Sequence, residues 1–227
     1  MSAVSRRLFL TLPAAAAAVS LARPAFALSE PQQLVEKARI AFLDIITDEA
    51  FHEMRDFVKR ARALVIFPQL IKGAFIVGGE GGSGVLVARD PAKGWSYPAF
   101  YTLASGSVGL QIGGQVAELV ITIMSHKALG AVIDNQFKIG GNIDVAVGPI
   151  GKGLSASTTT NLNADAYSWA KTQGLFGGLS LEGAGILSRD SWNKEYYGPG
   201  ATPDGIVIQR RFSNPNADPL RQALAAY

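Results

Sequence analysis

Residues 75–90, FIVGGEGGSGVLVARD, decide the fold. Gly79, Gly81 and Gly84 spell G-x-G-x-x-G directly after an apolar run, the spacing of a dinucleotide-binding loop. Such a loop must follow a strand and open a helix, because the pyrophosphate sits on helix N–H groups. Here VLVARD follows, β-branched and alternating, and reads as a second strand. No Gly-Lys-Ser/Thr is present, so the phosphate loop of nucleotide hydrolases fails as well. The glycines are expected in a β-hairpin whose turn or bulge needs positive φ, with no cofactor bound there.

Outward from this hairpin the period of two continues. Candidate strands cover 64–67, 72–79, 84–90, 97–103, 106–116, 118–124, 137–147, 153–162, 175–186 and 204–211. In 137–147, FKIGGNIDVAV, the residues Ile139, Ile143, Val145 and Val147 face one way and Lys138, Asn142 and Asp144 the other. That is an antiparallel sheet with one wet face. Ser125 can cap a short helix, HKALGAVID, and Asp218-Pro219 opens a last one. On the N-terminal side, 28–63 reads as helical: Pro31 stands near the start, and Leu34, Ala38, Ala41, Phe42 and Ile45 recur at helical spacing. Thr47 or Asp48 can cap a second helix, with Phe51, Met54, Val58 and Ala61 on one face. The fold class expected is α+β: N-terminal helices followed by a glycine-rich antiparallel β-sheet forming a barrel or sandwich.

The chain has 227 residues, 48% of them hydrophobic, with 25 glycines and no cysteine. Disulfides, thiolate metal sites and lipidation on cysteine are thereby excluded. Arg6 and Arg7 precede the apolar stretch LFLTLPAAAAAVSLA, and Ala25-Phe26-Ala27 is a small-x-small cleavage pattern. Residues 1–27 therefore read as an export signal cleaved after Ala27. The SRR-x-F-L sequence is similar to a twin-arginine translocation signal, with an ordinary Sec signal as the alternative, and by either route a periplasmic or otherwise exported protein is expected. Arg6, Arg7 and Arg23 are basic and this segment has no acid. Removing three of the 21 basic residues leaves 18 against 18 acidic ones. Net charge then gives no support to a nucleic-acid partner. The layout expected is a signal at 1–27, a helical segment at 28–63, a β-rich domain at 64–200, and a C-terminal strand and helix extension at 201–227.

Six stretches carry a family likeness: IKGAFIVGGEGGSGVLVARD, KGWSYPAFYTLASGSVGLQIGGQ, ELVITIMSHKAL, FKIGGNIDVAVGPIGKG, DAYSWAKTQGLFGGLSLEGAGI and NKEYYG. In this order, over roughly 36–200, the chain resembles the SYLF domain family. The resemblance implies non-enzymatic binding to phosphoinositides or other anionic lipids and, in some fungal members, to actin filaments. It further implies membrane contact through an amphipathic helix at the N-terminal edge of the domain. The matching stretch here is 48–63, and the lipid-binding candidates are Phe51, Arg55, Lys59, Arg60 and Arg62, with Lys72 shortly after. The same apolar face could equally pack on the sheet, with the basic residues favouring the helix dipole.

Catalytic signals are sparse. His52 and His126 are the only histidines, both at positions expected to be solvated, and no zinc-binding spacing exists. Glu80, Asp144, Asp165 and Glu182 are the carboxylates that could meet in space, with Glu182 inside the family motif LSLEGAGI. A carboxylate-based hydrolase is therefore one alternative. A scaffold binding a protein partner is the other.

Overall fold

A computed structural model describes residues 28–74, 78–107, 113–147, 163–173 and 183–227. The signal segment, strand 153–162 and Glu182 lie outside the described residues, as do most of 175–186 and the side chains of Lys72 and Glu80.

Helix α1 (Glu30–Thr47) begins where Ser29 Oγ accepts the N–H of Gln32 and Pro31 occupies the first turn. Its buried stripe is Leu34, Val35, Ala38, Phe42, Ile45 and Ile46. The helix stops at Asp48, whose backbone is extended and whose carboxylate caps a short 3-10 turn, Glu49–Phe51, through Ala50 N–H. Helix α2 (Met54–Arg60) follows. The helical segment is thus broken at the cap that the sequence signals.

Eight strands come next: β1 (Ala63–Ala74), β2 (Gly78–Asp90), β3 (Gly94–Trp95), β4 (Ala99–Ser107), β5 (Gly113–Ile123), β6 (Val145–Val147), β7 (Ala166–Gln173) and β8 (Gly185–Ser188). They form one sheet in the order β6-β7-β5-β1-β2-β4-β8, with β3 paired to β2. All pairings are antiparallel except β6 with β7. The sheet curls strongly into a half-barrel, as the α+β expectation required. Residues 137–147 start against the β8 edge, where Lys138 bridges Gly185, and finish as β6 on the opposite edge.

The two faces carry separate cores. The inner face presents Val65, Phe67, Leu86, Tyr101, Leu119 and Ile121 to helix α3 (His126–Ile133), to Phe137, Ile139 and Ile143, and to helix α5 (Pro203–Val207). The outer face presents Leu64, Ile66, Val85, Val87, Val120 and Trp169 to α1, α2 and helix α6 (Asp218–Ala225). Helix α4 (Asp190–Tyr197), which no periodicity announced, is pinned to β4 by buried Asn193, whose Oδ1 accepts the Phe100 N–H at 2.9 Å.

The opening glycines lie within a strand, and their role differs from the one expected. Gly81, Gly82 and Gly84 do not enter the left-handed region. They face a bulge on β1 instead, where the register shifts between Ile66 and Ile71. Pro68 and Gln69 form that bulge, and it resets the alternation so that Leu70 returns to the inner core after Phe67. A Cβ on Gly82 would collide with the Gln69 carbonyl, and one on Gly84 with the Phe67 ring and the Ile66 carbonyl. Close approach of two backbones is what requires glycine here.

Several strand boundaries change. Stretch 72–79 divides between β1 and β2, and 106–116 between β4 and β5. Segment 137–147 is a strand only at 145–147, because the chain turns at Gly140 (φ 73°). Ile139 and Ile143 are buried in the inner core as expected, but the phase is lost and Ala146 joins the outer one. Stretch 204–211 is not a strand. Thr202 Oγ1 caps α5 through the Gly205 N–H, Pro203 opens it, and Arg210 then adopts φ 55°. The cap chemistry outweighs the β-branched run.

Candidate functional site

The lipid-binding candidates divide by burial. Phe51 is enclosed with Met54 and Val58 in the outer core. The apolar face of α2 is therefore spent on the sheet. Arg55 is half-buried and its Nε donates to the Ile46 carbonyl at 3.1 Å, tying α2 to the end of α1. Lys59, Arg60 and Arg62 are exposed. Lys59 pairs with Asp56 at 3.4 Å, and Arg60 lies over the Phe57 ring at 5.0 Å. Arg62 donates to the Met124 carbonyl at 3.2 Å. Arg89 joins them: its Nη1 donates to the carbonyls of Lys59 (2.7 Å) and Val58 (3.3 Å), capping the C-terminus of α2. Together they form a basic rim at one end of the sheet, where β1 begins and β2 ends. Lys72 lies further along β1, opposite Glu80 in register. Arg89 could not be singled out from sequence, because only strand register sets it beside Arg62.

Of the four candidate carboxylates, Asp144 and Asp165 have described side chains. Asp165 accepts from Ser125 Oγ at 2.6 Å, from Lys127 at 3.3 Å and from the backbone N–H of Asp144 at 3.4 Å. Burial alone would raise its pKa, but these bonds hold the carboxyl below the usual range. Its work is to anchor the cap of α3. The Asp144 side chain is exposed. His52 and His126 are exposed, as their positions suggested. Among the described residues no group of three or more His, Cys, Asp or Glu could hold a metal, and no helix is long and apolar enough to cross a membrane.

Two features have no precursor in the sequence reading. On the outer face Glu118 of β5 stands opposite Lys171 of β7, and Lys171 reaches Asp44 (2.7 Å) and Asp48 (3.4 Å) at the end of α1. Three carboxylates thus surround one ammonium. Burial, then the neighbouring Asp44, pushes the Glu118 carboxyl up to about 7, and its Oε2 has no hydrogen-bond partner among the described residues. Next to it, two grooves flank the β1 bulge and share Lys37, Pro68 and Gln69, with volumes of about 190 and 470 Å³. Ile40 (56% exposed), Ile71 (56%) and Val116 (39%) stand uncovered along them. These residues come from three elements, α1, β1 and β5, and only the bulge and the strand register bring them together.

Comparison with known proteins finds relatives of this chain. A family profile described as "Ysc84: Las17-binding protein actin regulator" matches residues 104–227. SH3 domain-containing YSC84-like protein 1 of Xenopus laevis is 37% identical over 142 residues, 62% of this chain and 42% of that protein. Protein YSC84 of Saccharomyces cerevisiae is 34% identical over 170 residues, 74% of this chain and 36% of that protein. LAS seventeen-binding protein 3 of the same yeast is 31% identical over 172 residues, 74% and 37% respectively. The chain spans about two fifths of the length of these curated relatives. The profile runs through α4, α5 and α6 to residue 227, so the last helices, whose Leu220 and Leu224 complete the outer core, fall within the matched region. With more than half of its residues matched, and with the glycine-rich curled sheet in place, the chain belongs to the Ysc84 (SYLF) family.

Proposed function

We propose that this chain is a non-enzymatic binding module that docks peripherally on anionic phospholipid. The observation that supports this reading is the exposed basic rim of Lys59, Arg60, Arg62 and Arg89. Because Phe51, Met54 and Val58 are committed to the core, docking proceeds through charge, without insertion of the helix. Each cation near an anionic surface contributes about 1 kcal/mol, so binding is weak and salt-sensitive. The reading takes the twin-arginine-like segment as an export signal, so that phosphatidylglycerol or cardiolipin of the cell envelope would supply the negative charge.

The test is flotation of the purified chain with zwitterionic and anionic vesicles at low and high salt. Flotation is expected only with anionic vesicles, is lost in high salt, and is lost in Lys59→Glu/Arg62→Glu. A folded protein that floats with neither vesicle, or whose flotation survives that charge reversal, overturns the reading. A second reading, a scaffold for a protein partner, draws on the uncovered Ile40, Ile71 and Val116 and on relatives whose names record binding to another protein. Under it, the charge reversal leaves partner binding intact and Ile71→Asp abolishes it.

A further inference from the structure

We propose that the larger groove, between α1, the β1 bulge and the start of α4, binds a phosphate monoester carried on an organic body. Its lining holds donors from three places in the fold, Arg189 before α4, Ser83 of β2 and Lys37 of α1. Arg189, the residue before α4, donates from Nη1 to Ser83 Oγ of β2 at 2.6 Å, and its guanidinium lies 3.5 Å over the Trp192 ring. These two contacts fix the guanidinium plane, and the Arg189 backbone is itself held by a 2.8 Å bond from its N–H to the Phe100 carbonyl. Ser83 accepts from Arg189, so its own hydroxyl proton remains to be donated. Among the described residues the other N–H groups of the guanidinium have no hydrogen-bond partner and are available to a ligand. Lys37 of α1, which is exposed, lines the same groove and adds an ammonium.

The charge is unbalanced in favour of an anion. Among the described residues neither Arg189 nor Lys37 forms an ion pair, and Glu30 is the single carboxylate on the wall. A hydroxyl, a guanidinium and an ammonium on separate elements suit the three terminal oxygens of a phosphate better than the two of a planar carboxylate. The groove, about 470 Å³, has the size of a small-molecule site and is far larger than a bare phosphate. The organic part lies along Leu34, Ile71 and the Trp192 indole, over a floor that Gly81 and Gly82 leave free of side chains.

This site is distinct from the basic rim. It opens beside the N-terminal half of α1, whereas the rim lies beyond its C-terminal end, and an 18-residue helix is about 27 Å long. Variants at one place therefore leave the other intact.

The experiment titrates phenyl phosphate into the full chain by calorimetry at fixed ionic strength, with benzoate and benzyl alcohol alongside. Phenyl phosphate is expected to bind more tightly than benzoate, with no heat from benzyl alcohol. Lys37→Ala and Ser83→Ala, both at positions outside the cores, each weaken phenyl phosphate about tenfold. Lys59→Glu/Arg62→Glu leaves that affinity unchanged. Vesicles containing phosphatidic acid form a second arm. Binding that depends on Lys37 there, but not in solution, assigns the phosphate to a membrane lipid, and the reverse assigns it to a soluble ester. Absence of Lys37-dependent binding in both arms, or a preference for benzoate, overturns the proposal, whatever the flotation experiment on the rim shows.

Discussion

The two faces of the sheet are built from the same strands and behave differently. Among the described residues the inner face is covered by α3, the 137–147 crossing and α5, and Val65, Phe67, Leu86, Leu119, Ile121 and Ile186 are fully buried. The outer face is covered by α1, α2 and α6 only as far as the β1 bulge. Beyond it, Ile71 and Val116 are exposed and the grooves open. Alternation puts successive side chains on opposite faces, so both sets are equally apolar in sequence. What separates them is whether another element arrives to cover them. Surfaces capable of binding are consequently concentrated on the outer face, at the edges of helix coverage.

The hardest way to break this comparison is to fill the bulge. Gly82→Ala drives a methyl group into the Gln69 carbonyl, a backbone atom that cannot rotate away. A loss of about 3 kcal/mol in urea unfolding is expected. A loss near zero would show that the bulge relaxes freely and does not set the phase of β1.

A smaller effect sharpens the contrast in polarity. Tyr101 is fully buried in the inner core, and its hydroxyl has no partner among the described residues. Burial pushes its pKa far above the usual phenol value, so the group stays neutral. Tyr101→Phe removes an unsatisfied polar atom and is expected to stabilise the fold by about 1 kcal/mol. Destabilisation would instead reveal that the hydroxyl has a partner.

The smallest effect belongs to Glu118 on the outer face. Its carboxyl is raised from 4.5 to about 7 by burial and by Asp44. The folded protein therefore holds a proton that the unfolded chain releases. The resulting stabilisation is complete below pH 4.5 and is lost as pH rises through about 7. Partial solvent exposure keeps it to about 1 kcal/mol or less. Glu118→Gln should remove this fall between pH 5 and 8, as measured by thermal unfolding across pH, and should make the hold of α1 on the sheet independent of pH. An unchanged slope would assign the pH dependence to other groups.

Legibility from sequence followed the range of the interactions. The caps at Asp48 and Ser125 and the stripe from Leu34 to Ile45 depend on neighbours within one or two turns, and they form as their residue types indicate. The strand VLVARD after the glycines was readable from alternation, which ruled out a dinucleotide loop. The α5 segment reads as a strand because Ile206, Val207 and Ile208 are β-branched, although the Thr-Pro-Asp signal before them is a helix start. The crossing at 137–147 was misread because its alternation is real on both sides of a turn.

The sequence alone determined the class of fold, the absence of thiol chemistry and the family. Each rests on composition or on order along the chain. Tertiary structure decided which apolar residues were covered, which cations remained exposed, and which charged groups met. Phe51 and Ile71 are both large and apolar, yet one is sealed beneath α2 and the other stands in the open. Arg189, Ser83 and Lys37 are separated by scores of residues and share a groove. Burial and charge balance arise from strand register and helix docking, and these long-range pairings are not written in any local pattern.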